Sequence, residues 1–172
     1  MKNIVLTGFM ASGKTEIGKQ LARMTGFQFI DTDALVEAEA GCTVNEIFAR
    51  WGESKFRDME TIAVKRAADM HNAVIATGGG AVLRQENIET LRRTGVIVNL
   101  DISDAVLLER MKQASHTRPL MRENTAVVLK RLHDRKPYYD CCDEQMMVSN
   151  EKKPDEYAEE ILKRLDFVSK IQ

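Results

Sequence analysis

One segment constrains this chain more than any other: Gly8-Phe9-Met10-Ala11-Ser12-Gly13-Lys14-Thr15. It fits G-x-x-x-x-G-K-[ST], in which a backbone loop cradles phosphate. Its flanks agree with that reading. Asn3-Ile4-Val5-Leu6-Thr7 is a short apolar run of the kind that forms a buried parallel strand. After the loop, Ile17, Leu21 and Met24 recur at helical spacing. Glycines let the loop turn its N–H groups inward. A helix starting at Lys14 adds the positive end of its dipole. Lys14 then brings an ammonium to the terminal phosphates, and Thr15 a hydroxyl to a magnesium ion. Gly8, Ala11, Ser12, Gly13 and Glu16 complete the nucleotide-binding segment. The motif names a nucleoside triphosphate and leaves the reaction open.

The length of 172 residues predicts one domain with a good core. A net charge of -1 argues against a general nucleic-acid binder, while a local basic cluster could still serve a small anionic substrate. No apolar run approaches the ~20 residues that span a membrane. Met1-Lys2-Asn3-Ile4 enters the first strand at once, so no signal peptide is expected. Cys42, Cys141 and Cys142 lack the spacing of a zinc site or a disulfide framework, and reduced thiols in a cytoplasmic protein are expected. Nothing signals an obligate partner, and a monomer is expected.

Apolar runs alternate with helical patterns along the chain. Strands are expected at residues 3–7, 27–30, 73–76, 96–100 and 145–148. Asp33 to Ala40 reads as a helix ended by Gly41. Thr43 and Glu46 fit a capping box. The helix they start carries Val44, Ile47 and Phe48 and stops at Gly52. Glu53 to Met70 follows as a longer helix with Phe56, Ile62, Ala63, Ala67 and Met70 on its periodic face. Gln85 to Arg93 is read as a helix ending at Gly95, residues 104–113 as one capped by Ser103, and Thr125 to Arg135 as one stopped by Pro137. Pro154 suits the first turn of a final helix. Residues 114–123 have no period and read as a mobile loop. This alternation predicts an α/β fold with a parallel sheet covered on both faces. Ligands in such sheets bind beyond the carboxyl ends of the strands. The P-loop, Asp31, Asp33 and Gly78 to Gly80 all follow expected strands, so they should share one rim.

Each of these features has a chemical reading. In Asp31-Thr32-Asp33, one carboxylate can hold magnesium and the other can accept a hydrogen bond from a substrate hydroxyl. The competing structural role is a helix N-cap by Asp33 or Thr32. Asp101, after the fourth strand, is a second candidate for the metal, and the sequence does not separate it from Asp31. Gly78-Gly79-Gly80 costs chain entropy without packing, which a close approach to a ligand would explain. Arg57 has Glu60 three residues on, spaced to hold its guanidinium. Arg118-Pro119-Leu120 lies in the loop, and Arg135-Lys136-Pro137-Tyr138-Tyr139 ends a helix.

Together these residues resemble the shikimate kinases, a family within the nucleoside-monophosphate-kinase-like P-loop fold. The resemblance rests on Asp31-Thr32-Asp33, Phe56-Arg57 with Glu60, Gly78-Gly79-Gly80, Arg118-Pro119-Leu120 and Arg135-x-Pro137-Tyr138, and runs almost to Pro154. It implies a three-layer α/β sandwich with a five-stranded parallel sheet. The chain would be one kinase domain, residues 1–172, with a substrate-binding insertion at about 33–61 and a lid at about 114–123. The implied reaction is ATP-dependent phosphorylation of the shikimate 3-hydroxyl, in aromatic amino-acid biosynthesis. Arg57 and Arg135 would grip the substrate carboxylate and Asp33 its hydroxyls, over a floor of Gly78, Gly79 and Gly80. Lys14 and Arg118 would face the transferring phosphoryl group, with Asp33 the third catalytic residue. Thr15 and Asp31 would serve Mg²⁺. Arg110 would lie against the adenine, in a pocket reaching from Ser149 to Pro154 and including Lys152. The family often has an arginine where this chain has Lys152, and lysine stacks and forks less well. Two other readings share the motif: a gluconate or nucleotide kinase of the same fold, and a nucleotide-binding regulator without catalysis.

Overall fold

The computed structural model describes residues 2–114 and 124–169, with side chains as far as Asp166. Apart from Ala114 the expected lid, and Arg118 with it, lies outside the described residues.

Five strands form one parallel sheet: β1 (Asn3–Gly8), β2 (Gln28–Asp31), β3 (Ala73–Ala76), β4 (Gly95–Ile102) and β5 (Glu144–Val148), in the order β2-β3-β1-β4-β5. Every position of β1 and β3 is buried, so both faces are covered. The cover comes from α1 (Lys14–Thr25), α2 (Thr32–Ala40), α3 (Val44–Ala68), α4 (Gln85–Thr94), α5 (Asp104–Ala114), α6 (Thr125–Tyr139) and α7 (Pro154–Ser169). The main core joins Val5, Leu6, Leu21, Ile75, Ile97 and Leu100 from the sheet and α1 to Leu132 and Ile161 from the later helices. A second, smaller core of Val36, Ile47, Phe56 and Ala63 holds α2 against α3.

β1 lies between β3 and β4, so the loops leaving β1 and β3 are neighbours. Thr77, just past β3, fixes their spacing: its N–H and its hydroxyl both donate to Leu6 O of β1, at 3.0 and 3.2 Å. The shared rim expected from the strand pattern is thereby built.

The capping box forms as expected, with Glu46 N–H donating to Thr43 Oγ1 at 3.3 Å and Thr43 N–H to Glu46 Oε2 at 2.8 Å. Gly52 does interrupt the helix, at φ 79° and ψ 174°, and α3 resumes beyond this kink. α4 ends at Gly95 as expected, with the Gly95 N–H donating to Leu91 O, and the extended backbone of Gly95 also opens β4, where it pairs with Asn3. Three expectations need correction. Pro137 does not stop α6 at Arg135. Only its own N–H is lost, and the helix continues to Tyr139. Phe48 and Ile62 share the apolar period of α3 but stay exposed, and α3 ends at Ala68, short of Met70, which is exposed as well. The N-cap of α2 is Asp31, rather than Asp33 or Thr32.

Candidate active site

The P-loop takes its shape from three positive φ angles: Gly8 at 142°, Ala11 at 59° and Gly13 at 95°. Such turns gather successive N–H groups into a concave, anion-binding surface. Gly13 caps α1 with no side-chain hydrogen bond, so the first-turn amides of α1 have no capping side chain to satisfy them. Lys14 folds across this loop. Its Nζ donates to Gly8 O at 2.7 Å and to Phe9 O at 2.9 Å. Burial lowers its pKa to about 8, against the raising effect of Asp33 and Asp31.

Asp31 has a double role that arises from its place at the end of β2. Oδ1 accepts from the backbone N–H of Asp33 at 3.0 Å and of Ala34 at 3.4 Å, which caps α2. Oδ2 accepts from the Thr15 hydroxyl at 3.4 Å. Thr15 and Asp31, the pair expected at the metal, are therefore adjacent. Asp101 instead accepts from Gln145 Nε2 at 3.2 Å, on the β5 side of the sheet.

The cap aims Asp33 inward. Burial raises its pKa to about 6, and Glu60 and Asp31 push the same way. Glu60, on α3, is fully buried, and burial raises its carboxyl too, against the pull of Arg57 and Arg135. Asp33 Oδ1 and Glu60 Oε1 are both buried without a hydrogen-bond partner among the described residues. Both point at Gly78: a Cβ there would lie 2.5 Å from Asp33 Oδ1 and 2.6 Å from Glu60 Oε1. A Cβ on Gly80 would collide with the Arg57 guanidinium. None of the three glycines has a positive φ. Side-chain space, not backbone freedom, is what Gly78 and Gly80 supply.

Arg57 is not a surface residue. Its side chain is 10% exposed, and Nη1 donates to Glu60 Oε2 at 2.7 Å. Its other edge, Nε and Nη2, donates to Glu53 Oε1 at 3.3 and 3.0 Å. Arg135, on α6, lies over the Phe9 ring with its Cζ 5.8 Å from the centroid, and its Nη1 faces Gly79. Burial lowers its pKa, and the neighbouring Arg57 acts in the same direction. Two guanidiniums thus flank a glycine floor beside two buried carboxyls with unmet acceptor capacity.

On the far side of the P-loop, Arg110 of α5 donates to Ala11 O at 2.7 Å, Ser149 O at 2.8 Å and Asn150 Oδ1 at 2.8 Å. It ties the P-loop to the turn after β5. Lys152 turns toward α7, pairing with Glu160 at 2.8 Å and lying over the Tyr157 ring. Pro154 opens α7, as its missing N–H favours.

Three supporting roles escape a reading of motifs. Tyr139 donates its hydroxyl to Gly79 O at 2.6 Å and hydrogen-bonds Arg135, and burial pushes its pKa up to about 12. Arg84 donates to Arg57 O at 3.1 Å and Thr61 Oγ1 at 3.2 Å, bracing the glycine loop against α3. Thr32 Oγ1 accepts from Gly78 N–H at 3.0 Å. The i, i+4 spacing of Arg135 and Tyr139 was the one available sign of such a partner.

A family model for shikimate kinase matches residues 10–166. The chain belongs to the shikimate kinase family. The shikimate kinase of Thermodesulfovibrio yellowstonii is 43% identical over 175 residues, covering 98% of each chain. That of Caldanaerobacter subterraneus is 45% identical over 165 residues, covering 95% of each. Among solved structures, shikimate kinase from Acinetobacter baumannii in complex with shikimate is 32% identical, with a TM-score of 0.87, over 100% of this chain and 96% of that one. The sheet order and the P-loop rim are thus those of a shikimate kinase, an ATP-using enzyme of the shikimate pathway. No helix among the described residues is long and apolar enough to cross a membrane.

Proposed function

We propose that this chain transfers the γ-phosphoryl group of ATP to the 3-hydroxyl of shikimate as a cytoplasmic, monomeric enzyme of one domain, with Lys14, Asp33 and Arg118 as its catalytic residues. The observation that carries this assignment is the pairing of Arg57 and Arg135 over the glycine floor, beside Asp33 and next to the P-loop. A carboxylate matches the two guanidiniums. Hydroxyl groups on the same small ring match the unmet acceptors Asp33 Oδ1 and Glu60 Oε1. The insertion at about 33–61 carries Asp33 and Arg57 on a core of its own, which suits a separate substrate-binding element.

In the transfer step the substrate hydroxyl oxygen forms a bond to the γ-phosphorus as the bond to the ADP oxygen breaks. The hydroxyl proton passes to an Asp33 oxygen. Lys14 and the P-loop amides offset the charge on the phosphoryl oxygens. Arg118 joins them from the lid, whose closure would keep water from the phosphoryl group. Gly8, Ala11, Ser12, Gly13 and Glu16 hold the phosphates, and Arg110, Lys152 and Pro154 border the adenine. Hard oxygen donors suit Mg²⁺, which takes one or two protein ligands and keeps its remaining sites for phosphate and water. The Thr15 hydroxyl and Asp31 Oδ2, in contact at 3.4 Å, fit it in that way. When bound, the ion supplies positive charge to the phosphate oxygens.

ATP consumption measured with shikimate, gluconate and nucleoside monophosphates tests the substrate assignment. Turnover with shikimate alone is expected; equal turnover with gluconate would overturn it. Arg57→Ala and Arg135→Ala should each weaken shikimate binding by about 1.5–3 kcal/mol, with ATP affinity held. Loss of ATP affinity with shikimate affinity intact would reverse the roles of the two subsites. Gly80→Ala should cost about 1–3 kcal/mol of shikimate binding by displacing Arg57. Unchanged affinity in calorimetry would show that the loop yields and that the close approach has no role.

A further inference from the structure

We infer that Glu53 is a built-in competitor for the substrate carboxylate, so that shikimate binds by exchange with this side chain. The inference rests on the assignment of Arg57 and Arg135 to that carboxylate. Arg57 has two usable edges, and the structure treats them differently. One is held by Glu60, which has no exposed surface and cannot leave without stranding a buried charge. The other is held by Glu53, whose side chain is 60% exposed and free to swing into water. A single oxygen, Glu53 Oε1, receives both Nε and Nη2, the fork that a planar carboxylate would otherwise engage. The same carboxylate also acts electrostatically on Arg135. Glu53 therefore sits within the field of both guanidiniums, where a bound anion would sit.

Its backbone position favours the swing. Glu53 is the first residue after Gly52, whose non-helical φ of 79° breaks α3 there. The backbone leaves helical geometry at this point, and the side chain faces solvent on one side. Removal of Glu53 from Arg57 leaves the guanidinium still fixed by Glu60 and by its position over the Phe56 ring, with Cζ 5.1 Å from the centroid. The receptor is thus held rigid by a permanent partner while a mobile one keeps its binding edge charged-paired and shielded. An uncharged ligand in the same place cannot replace the pair it breaks. The exchange therefore selects for an anion as well as setting its affinity.

The test uses the full chain and isothermal titration with two probes, shikimate and its neutral carboxamide. Glu53→Gln keeps size and removes the competing charge. It should bind shikimate about 3- to 10-fold more tightly, on the scale of one partly exposed ion pair. KM for shikimate should fall by the same factor and KM for ATP should not. Glu53→Ala should show the same direction, and thermal melting of both variants checks the fold. Equal or weaker shikimate binding by both folded variants would overturn the exchange and make Glu53 a brace of Arg57. If the wild-type chain bound the carboxamide as tightly as shikimate, the carboxylate assignment of Arg57 and Arg135 would fall, and the exchange with it.

Discussion

Lys14→Met is expected to fold, melt cooperatively and bind shikimate, yet to lose phosphoryl transfer by about 10³-fold or more, the cost of a missing charge at a developing oxyanion. The expectation of an intact fold comes from the surroundings of Nζ. Its partners are two carbonyls of its own loop, Gly8 O and Phe9 O, and burial already disfavours its charge. A thioether of similar length relieves that burial and leaves the loop backbone set by its own glycines. Single-turnover measurement of phosphate transfer separates this loss from weaker nucleotide binding. Turnover within tenfold of the wild type in a folded variant would remove Lys14 from the mechanism.

Asp33→Asn carries the second large effect, and it acts in two directions. If Asp33 accepts the hydroxyl proton, turnover falls by about 10²- to 10⁴-fold. Stability moves the other way. The Asp33 carboxyl has its pKa raised to about 6 by burial, with Glu60 and Asp31 adding to it. The folded state therefore holds this proton more firmly than the unfolded chain does. Its contribution to stability is full below the ordinary carboxylate range and is lost as the pH rises through about 6. Above that pH the ionised group opposes folding, and the neutral amide should recover about 2 kcal/mol. Urea midpoints at pH 5 and pH 8 measure this directly. The variant should be the more stable protein at pH 8 and gain little at pH 5. A variant less stable than wild type at pH 8 would mean that the carboxylate is satisfied where the geometry leaves Oδ1 bare.

These two residues also set the pH profile. Asp33 must be ionised to take a proton and Lys14 protonated to offset charge. For the free enzyme, kcat/KM should rise to about pH 6 and fall beyond about pH 8, with the limbs belonging to the interacting pair. Asp33→Asn should erase the acidic limb from its residual activity.

The strand–loop–helix around Gly8 to Thr15 was legible in the sequence because its periods and its glycines are local. So was the shared rim, since alternating strands and helices imply which loops lie together. Local pattern placed the helix cap at Asp33 or Thr32 and missed Asp31, because any of these short polar side chains can reach a first-turn amide. The answer depends on where β2 ends. It could not show that Glu60 is fully buried, since on a bare helix an i, i+3 pair of Arg57 and Glu60 looks solvated. Nor could it find Tyr139 at Gly79 or Arg84 at Arg57, which are 60 and 27 residues apart and meet only when the sheet is assembled. Apolar period misled at Phe48 and Ile62, where the periodicity of α3 is wider than the surface that buries it, and at Met70, which lies past the end of the helix.

The floor of the site is defined by atoms that are missing from Gly78 and Gly80. A glycine codon has no conservative neighbour: each amino-acid change reachable by one base brings at least a Cβ. At Gly78 that carbon meets two buried carboxyl oxygens, and at Gly80 a buried guanidinium. Variation at these positions can only subtract volume. A lineage of this fold that came to accept a larger ring could not have done so by trimming the floor, which has nothing left to trim. It would have had to move the walls, at Asp33, Arg57 and Glu60, and those walls are the residues that recognise the ring.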